Sequence, residues 1–277
     1  MGANIKAIRA RIKSVESTRH ITKAMELVAS SKIKRAAAKM EQSRFYRAVM
    51  LDAFADLSSA DTMYSRAREA SLPVLYIIVA GDRGLAGGYN NNIFRSAALM
   101  LREQDVVLPI GKRAVEYYTH KNRGVITADF VSCEDMTSDE CSRAAYLIRE
   151  MYDRGEIGGV CLISTEFVSM LTQTPQMTHL LPLRKENEAE QKPKVVVEYE
   201  PSAEAVLSAL IPEYIAGVLY SSVCESFASE LAARRSAMDS ATKNADEMLD
   251  SLNLKYNQAR QGAITQEITE IVAGANA

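Results

Sequence analysis

The chain has 277 residues, 47% of them hydrophobic, which is enough for one large domain or two smaller ones with packed cores. Its formal net charge of -2 excludes a whole-chain attraction to nucleic acid or to an acidic membrane surface. The charge is uneven, however: residues 1–50 hold about 12 Lys and Arg against about 3 Asp and Glu, so the remainder is acidic.

No targeting segment is visible in the sequence. The start, MGANIKAIRARIK, is charged throughout and lacks the apolar region of a signal peptide. No window approaches the roughly 18 uninterrupted apolar residues of a membrane span. The cysteines have no CxxC spacing, so we expect reduced, buried thiols of a cytoplasmic protein at Cys133, Cys141, Cys161 and Cys224.

The first predicted element is a very long helix over residues 4–57, a stretch without Pro or Gly. Apolar residues recur there at steps of three and four, the heptad spacing of a coiled-coil seam. They are Ile5, Ile8, Ile12, Val15, Ile33, Ala36, Met40, Met50, Phe54 and Leu57. Between these blocks the seam positions hold Arg19, Thr22 and Glu26, and the pattern predicts that the apolar face moves one step, to Ile21, Met25 and Val28. A helix of about 54 residues spans roughly 80 Å, more than a small domain is wide.

The middle of the chain alternates between apolar runs and helical patterns. Strands are predicted at 74–80, 106–111, 125–131 and 159–168, and helices at 91–103, 112–122 and 139–153. Alternation of this kind indicates a mostly parallel, Rossmann-like sheet. A polar loop is predicted at 184–193 and a further edge strand at 194–201.

The last predicted element is a helix from Ala203 to about Val272, with a kink or a restart at Pro212. Its apolar stripe comprises Leu207, Leu210, Tyr214, Cys224, Phe227, Leu231, Met238, Ala245, Met248, Leu252, Tyr256 and Ala259. This helix is acidic on balance and the first is basic, which favours their pairing, and a globular insert between them returns the chain antiparallel.

These elements predict an α/β fold with a long antiparallel coiled coil, in which N- and C-terminal helices flank a Rossmann-like parallel-sheet domain. The expected segments are 1–60 for the first helix, 72–200 for the α/β domain and 203–277 for the last helix. The two helices are expected to form one shaft.

The glycine-rich stretch GDRGLAGGYN, residues 81–90, follows the first predicted strand. It has no Lys and no hydroxyl after its glycines, as a Walker A loop requires, and its spacing does not match Gly-x-Gly-x-x-Gly. A plain strand-to-helix turn is therefore the favoured interpretation, with glycines in left-handed conformations and Asn90 or Asn91 as the N-cap.

Other chemistry is sparse. His20, His120 and His179 are far apart in sequence and have no partner at metal-ligand spacing. The acidic cluster DMTSDE (135–140) precedes a predicted helix, where capping accounts for it. We expect no catalytic residue, no cofactor-binding residue and no metal ligand in this chain.

Three stretches, in this order and on this architecture, resemble the gamma subunit family of the F-type ATP synthase. They are ITKAMELVASSKIKRA (21–36), DRGLAGGYN (82–90) and ARQGAITQEITEIVAGANA (259–277). The last is the most specific, and the whole chain is covered. The chain is similar to bacterial members, since it lacks the cysteine-bearing insertion of chloroplast ones.

The resemblance implies a non-catalytic central-stalk rotor that couples proton-driven rotation of the membrane c ring to ATP synthesis. Its implied partners are three alpha and three beta subunits, the epsilon subunit and the c ring, with no nucleic acid. It implies a peripheral place on the cytoplasmic side of the cell membrane, reached only through the complex.

The same resemblance implies residues that influence coupling or bearing contacts: Met25, Arg234, Gln261, Ile264, Thr265, Glu267 and Glu270. Tyr199 and Glu200 match the family's foot, near epsilon and the c ring. A core methionine remains an alternative role for Met25. The apolar C-terminal tip, from Ala263 to Ala273, has no visible partner within the chain, which suggests burial in another protein.

Two other classes of function compete with the rotor. A Rossmann-type enzyme with helical arms requires a phosphate template that the glycine stretch lacks. A free coiled-coil scaffold or nucleic-acid binder that uses the basic first helix leaves the apolar tip unexplained.

Overall fold

A computed structural model of the chain describes residues 2–57, 62–121, 123–183, 200 and 202–275. The chain divides into two compact units, one formed by Met1–Ser31 with Arg234–Ala277 and the other by Lys32–Ala233. Two very long helices contribute to both units: α1 (Gly2–Leu57) and α5 (Ala203–Ala275). The predicted pair of terminal helices is thereby confirmed. Since α5 continues through Pro212, the helix does not restart there.

In the first unit the two helices pair antiparallel, because rising residue numbers along α1 meet falling numbers along α5. The Arg9 guanidinium donates to the Tyr256 hydroxyl at 2.6 Å, Arg19 forms an ion pair with Asp246, and the Thr22 and Thr242 hydroxyls lie 2.8 Å apart. Arg19 and Asp246 thus place one pair of opposite charges across the seam, as expected for a basic helix paired with an acidic one.

The predicted one-step shift of the apolar face in α1 is wrong. Thr22 and Ala29 are buried, whereas Ile21 and Val28 are each 58% exposed. The seam keeps its original phase because the helix is continuous and a hydrogen-bonded threonine pair fills a position that an apolar residue usually takes. On α5 the predicted seam residue Met248 is likewise 55% exposed.

The second unit contains a four-stranded sheet. In chain order its elements are β1 (Val74–Val79), α2 (Tyr89–Ala98), β2 (Val106–Ile110), α3 (Lys112–His120), α4 (Ser138–Asp153), β3 (Gly159–Phe167) and β4 (Gln173–Leu181). The strand order is β2-β1-β3-β4. Strand β1 is parallel to both neighbours, and β3 is antiparallel to β4. The Rossmann-like, mostly parallel sheet is confirmed.

Within the described residues, one predicted strand does not form and one observed strand was not predicted. Residues 125–131 form no strand and contribute a single bridge, Val125 to Val107. Strand β4 has no clear sequence signal, because this edge strand is mostly half-buried and contains Pro175, so it lacks the continuous apolar run of β1. The predicted loop at 184–193 and nearly all of the predicted strand at 194–201 lie outside the described residues.

The sheet of the second unit is covered on both faces. Alternate residues of β1 point to opposite sides: Leu75, Ile77 and Val79 belong to a core shared with α4 and α5, and Tyr76 and Ile78 to a core shared with α2 and α3. Burial on both faces explains why the parallel strands appear in sequence as continuous apolar runs.

A third cluster in this unit joins the two long helices. It consists of Ile33, Ala36 and Met40 from α1 with Ala228, Leu231 and Ala232 from α5. By length and composition α5 contains a segment apolar enough to cross a membrane, but 67% of that window is buried inside the protein, as is typical of a core helix.

Candidate functional site

The glycine loop lies directly after the carboxyl end of β1, between that strand and α2. In open α/β sheets this edge is where ligands bind, at the point where strands lead away in opposite directions. Here β1 has β2 on one side and β3 on the other, so the geometry of a ligand crevice is present. The contents of that crevice decide whether the loop holds a nucleotide.

The loop itself is a tight turn that the Asn90 side chain closes. The Gly81 N–H donates to Asn90 Oδ1 at 2.8 Å, and Asn90 Nδ2 donates to the Arg83 carbonyl at 3.3 Å. The N-cap of α2 is Gly88, so the prediction of Asn90 or Asn91 at that position is wrong: the Asn90 side chain is used inside the loop instead. Among the glycines of the loop Gly87 is left-handed, with φ +58°, and Leu85 also has a positive φ of 61°.

The anion position of the loop is occupied by a carboxylate of the chain itself. The N–H groups of Asp82 and Arg83 donate to the two carboxylate oxygens of Glu230, each at 3.3 Å. Glu230 belongs to α5 and is 1% exposed. A phosphate would use the same outward-pointing N–H groups, so Glu230 excludes it from this place.

More of α5 covers the same edge of the sheet. The Tyr89 hydroxyl donates to the Ser226 carbonyl at 2.8 Å, and the N–H of Thr165 in β3 donates to Ser226 Oγ at 3.2 Å. Burial is the main cause of the raised pKa of Tyr89, and the nearby Glu230 carboxylate adds to it. The hydroxyl therefore stays protonated and acts as a donor. The crevice is thus filled by a helix.

The acidic cluster before α4 is a helix cap. Thr137 Oγ1 accepts from the Glu140 N–H at 3.3 Å, and the Glu140 carboxylate accepts from the Thr137 N–H at 2.9 Å. This reciprocal pair is a capping box, as the sequence-based interpretation held.

The structure reveals one Cys–His contact that the sequence did not indicate. Cys161 Sγ lies 3.2 Å from His179 Nδ1, across the antiparallel pair of β3 and β4. Since β4 was not predicted, the pairing could not be found from the sequence. No group of three metal-ligating side chains occurs within the described residues.

The residues implied in coupling are spread along the first unit. Met25 is half-buried on α1, and Arg234 is 8% exposed on α5. Gln261 and Thr265 are exposed and adjacent, because Thr265 Oγ1 donates to the Gln261 carbonyl at 3.0 Å. Thr22 faces Thr242, so Met25 lies near residue 239, and Gln261 is about 33 Å further along α5 at 1.5 Å per residue. The structure therefore separates Met25 from the Gln261–Thr265 pair.

The remaining implied positions lie near the end of α5 and in the loop before it. Ile264, Glu267 and Glu270 are exposed, and Glu270 accepts a hydrogen bond from Gln266 Nε2 at 2.8 Å. Glu200 is exposed, and Tyr199 lies outside the described residues.

The C-terminal tip, residues 264–274, is a helix with every residue exposed. Its large apolar side chains recur at helical spacing and form one stripe. They are Ile264, Ile268, Ile271 and Val272, exposed by 45, 56, 71 and 54%. The expected apolar tip is present and makes no buried contact within the described chain.

Comparison with known proteins settles the family. A family model described as ATP synthase matches residues 4–277. An ATP synthase gamma chain from Ruminococcus albus is 43% identical over 277 residues, which is 97% of this chain and 96% of that one. Another from Ruminiclostridium cellulolyticum is 38% identical and covers 100% of this chain and 99% of that one.

This chain belongs to the ATP synthase gamma chain family.

Solved structures agree with the gamma chain fold. A chain of the Euglena gracilis mitochondrial ATP synthase, in a structure of OSCP, F1 and c-ring, superimposes with a TM-score of 0.72 at 16% identity and covers 100% of this chain and 95% of that one. A chain of the Tetrahymena thermophila mitochondrial ATP synthase, in a structure of central stalk and c-ring, gives a TM-score of 0.60 at 22% identity and covers 80% of this chain and 99% of that one. As a gamma chain, the protein is a component of an ATP synthase complex.

Proposed function

We propose that this gamma chain is the central-stalk rotor of an ATP synthase and couples proton-driven rotation of the membrane c ring to ATP synthesis at the beta subunits. The observation that carries the proposal is the exposed apolar stripe of the tip, residues 264–274. An apolar stripe of this kind on a helix without buried contacts is typical of a surface that a partner covers. Alpha and beta subunits are the proposed partners of the tip.

The geometry of the first unit suits a shaft. Two continuous helices share a seam with 3–4 spacing, so twisting one helix against the other disrupts many contacts at once. Polar contacts at three levels, Arg9–Tyr256, Arg19–Asp246 and Thr22–Thr242, fix the register of the helices. Such a pair transmits torque without large internal slip.

We infer that the chain itself catalyses no reaction. The position that a nucleotide phosphate requires is occupied by Glu230, and the capping box accounts for the acidic cluster before α4. The alternative of a Rossmann-type enzyme is disfavoured for this reason. In this proposal, nucleotides bind to the alpha and beta subunits.

The implied coupling residues remain proposals at their observed places. Met25 and Arg234 are proposed to act where the two long helices pair. The residues proposed to contact the alpha and beta subunits lie near the C-terminal end of α5: Gln261, Ile264, Thr265, Glu267 and Glu270. Glu200 is exposed, as a foot residue near epsilon and the c ring has to be, and Tyr199 is proposed to act beside it. The division into segments 1–60, 72–200 and 203–277 also remains a prediction.

We further propose that the chain lies on the cytoplasmic side of the cell membrane as a peripheral protein, attached only through the complex. The long apolar segment of α5 is mostly buried inside the protein, which disfavours its insertion into lipid.

Co-purification tests the proposed function. The tagged chain is expressed with the alpha, beta and epsilon subunits, and the isolated complex is assayed for ATP hydrolysis and for rotation of the chain. Co-purification of all three, with rotation, is expected. Calorimetry on the purified chain alone is expected to detect no ATP binding. Tight ATP binding by the chain alone contradicts the non-catalytic role, and failure of alpha and beta to co-purify contradicts the rotor.

A further inference from the structure

Two carboxylates of α5 hold the ends of two neighbouring parallel strands in the second unit. Glu230 accepts from the Asp82 and Arg83 N–H groups, in the loop that follows the end of β1 at Val79. Glu225 accepts from the N–H of Phe167, the last residue of β3, at 3.0 Å. Glu225 is 4% exposed and Glu230 is 1% exposed, so the hydrogen bonds of both carboxylates are shielded from water.

Glu225 also connects the first helix. Arg44 of α1 donates to Glu225 Oε1 at 2.5 Å, and the same guanidinium nitrogen donates to the Phe167 carbonyl at 3.0 Å. Arg44, Glu225 and Phe167 therefore form a closed triangle of hydrogen bonds between α1, α5 and β3. Charge-assisted hydrogen bonds of this type are shorter and stronger than neutral ones.

Burial alone does not explain this arrangement. A buried carboxylate is costly unless it is paired, and well-packed apolar residues hold a helix on a sheet at least as stably. Apolar contacts are non-directional, however, and let a helix roll or slide over the surface that it covers. Bonds from side-chain carboxylates to fixed main-chain N–H groups are directional and oppose both motions.

We propose that Glu225 and Glu230 form a torque joint, through which the α/β domain turns the two long helices. The inference rests on the proposed rotor function and deepens it. The glutamates are positioning residues: they touch neither nucleotide nor ion, and they act by fixing the angle between the sheet and α5. The Glu230 bonds carry load from β1, and the Glu225–Arg44 triangle carries load from β3 to both helices.

The experiment measures the torsional stiffness of the rotor in the assembled complex. A Leu99→Cys substitution provides an attachment point for a bead on the α/β domain, because Leu99 is 83% exposed, whereas the native thiols are buried. The alpha and beta subunits are fixed to the surface, and the angular variance of the bead is recorded while the motor pauses. The variants are Glu230→Gln and Glu225→Gln, which keep the side-chain volume and remove the charge.

We expect the angular variance to rise about two-fold in the double variant, since charge-assisted hydrogen bonds are about twice as strong as neutral ones. Glu213→Gln is the matched control: Glu213 is an exposed glutamate of the same helix, and its variance is expected to equal that of the parent. Glu230→Asp keeps the charge but shortens its reach by one methylene, and it is expected to give an intermediate variance.

If the angular variance of the bead is the same in the Gln variants as in the parent, the proposed torque joint is refuted, whatever the thermal stability of the variants. Thermal destabilisation with parental stiffness assigns the glutamates a purely structural role and also overturns it. A parent chain that neither assembles nor rotates refutes the proposed function instead, so the two failures are distinguishable. Where the double variant does not assemble, each single variant is measured in the same way. A smaller rise in the angular variance is then expected, and an unchanged angular variance again refutes the proposed joint.

Discussion

The carboxyl group of Glu230 occupies the space that a side chain at position 81 would fill. A Cβ added to Gly81 would lie 2.7 Å from Glu230 Cδ and 3.0 Å from its Cγ. The contact joins Gly81, the second residue after β1, to a helix about 150 residues further along, and glycine is the residue that leaves room for it. The reason for a glycine at position 81 is therefore the approach of α5, since its φ is not in the left-handed region.

Gly81→Ala is expected to destabilise the chain by about 1–3 kcal/mol, because the added methyl group forces the buried Glu230 away from its N–H donors. Urea unfolding followed by circular dichroism measures the change. Gly262→Ala is the control, since a Cβ there meets no described atom within 4 Å. It is expected to stabilise α5 by up to about 1 kcal/mol. Equal effects at the two positions would contradict the packing described for Gly81.

The threonine pair in the first unit should behave as a coupled unit. One hydroxyl donates to the other, and each also lies within reach of a carbonyl of its own helix, Arg19 O at 3.0 Å and Met238 O at 2.8 Å. Thr22→Val or Thr242→Val alone is expected to cost about 0.5–1.5 kcal/mol. The double variant is expected to be close to the parent, because two apolar side chains suit a coiled-coil seam.

A double-mutant cycle from urea unfolding measures that coupling. Thr18→Val serves as the control, since Thr18 is exposed and donates to the Ser14 carbonyl of the same helix at 3.1 Å. Its effect is expected to stay within about 0.5 kcal/mol. Strict additivity of the two seam substitutions would show that the hydroxyls do not interact.

Removal of residues 264–277 is expected to leave the thermal unfolding midpoint of the isolated chain unchanged, because residues 264–274 bury nothing in the described chain. The same truncation is expected to lower the yield of assembled complex or its ratio of pumped protons to hydrolysed ATP. A subtler pair, Ile268→Ser with Ile271→Ser, should reproduce the effect, whereas Gln258→Ala on the paired part of α5 should not. A fully coupled truncated complex would contradict the bearing role of the tip.

The four cysteines are expected to resist thiol reagents in the folded chain. Cys133, Cys141, Cys161 and Cys224 are all buried free thiols. Burial raises the pKa of Cys133 and Cys224, and it raises that of Cys141 from 9.0 to about 12. The reactive thiolate is therefore scarce at neutral pH.

Titration with a coloured disulfide reagent tests this expectation: no rapid reaction is expected at pH 8, and all four thiols react in denaturant. The stability gained by keeping Cys141 neutral is fully present below pH 9, the ordinary pKa of a thiol, and is lost as the pH rises through about 12. Rapid reaction of any thiol in the folded chain would contradict the burial.

Much of the fold follows from local sequence patterns. Residues 4–57 contain no Pro or Gly and repeat apolar residues at 3–4 spacing, so a long helix is the conformation that they favour. The run VLYIIV is apolar at every position because both faces of β1 are buried, and its place in an alternation of strands and helices indicates a parallel strand. The sequence likewise predicts the apolar stripe of the C-terminal tip and its lack of a partner within the described chain.

Other features of the fold could not be predicted from the sequence, because they depend on contacts between residues that are distant in the chain. Strand β4 owes its conformation to pairing with β3 rather than to its own residues, so its half-polar sequence gave no signal. With β4 unknown, the contact between Cys161 and His179 was also invisible. The seam position of Thr22 is not predictable from the sequence, because nothing near Thr22 in the chain indicates the Thr242 hydroxyl that faces it from α5.

The sequence by itself determined the two long helices, the parallel strands β1, β2 and β3 and the antiparallel return of the chain, because periodicity, breakers and charge act over a few residues at a time. Its motifs also indicated the family. Only the tertiary structure decided what fills the edge of the sheet. Asp82 and Glu230 are 148 residues apart. The glycine spacing disfavours a nucleotide site, but no local pattern shows that a carboxylate of the same chain binds the N–H groups of the turn instead. The group that binds there depends on where a distant helix packs, since main-chain N–H groups donate hydrogen bonds to a phosphate or to a carboxylate.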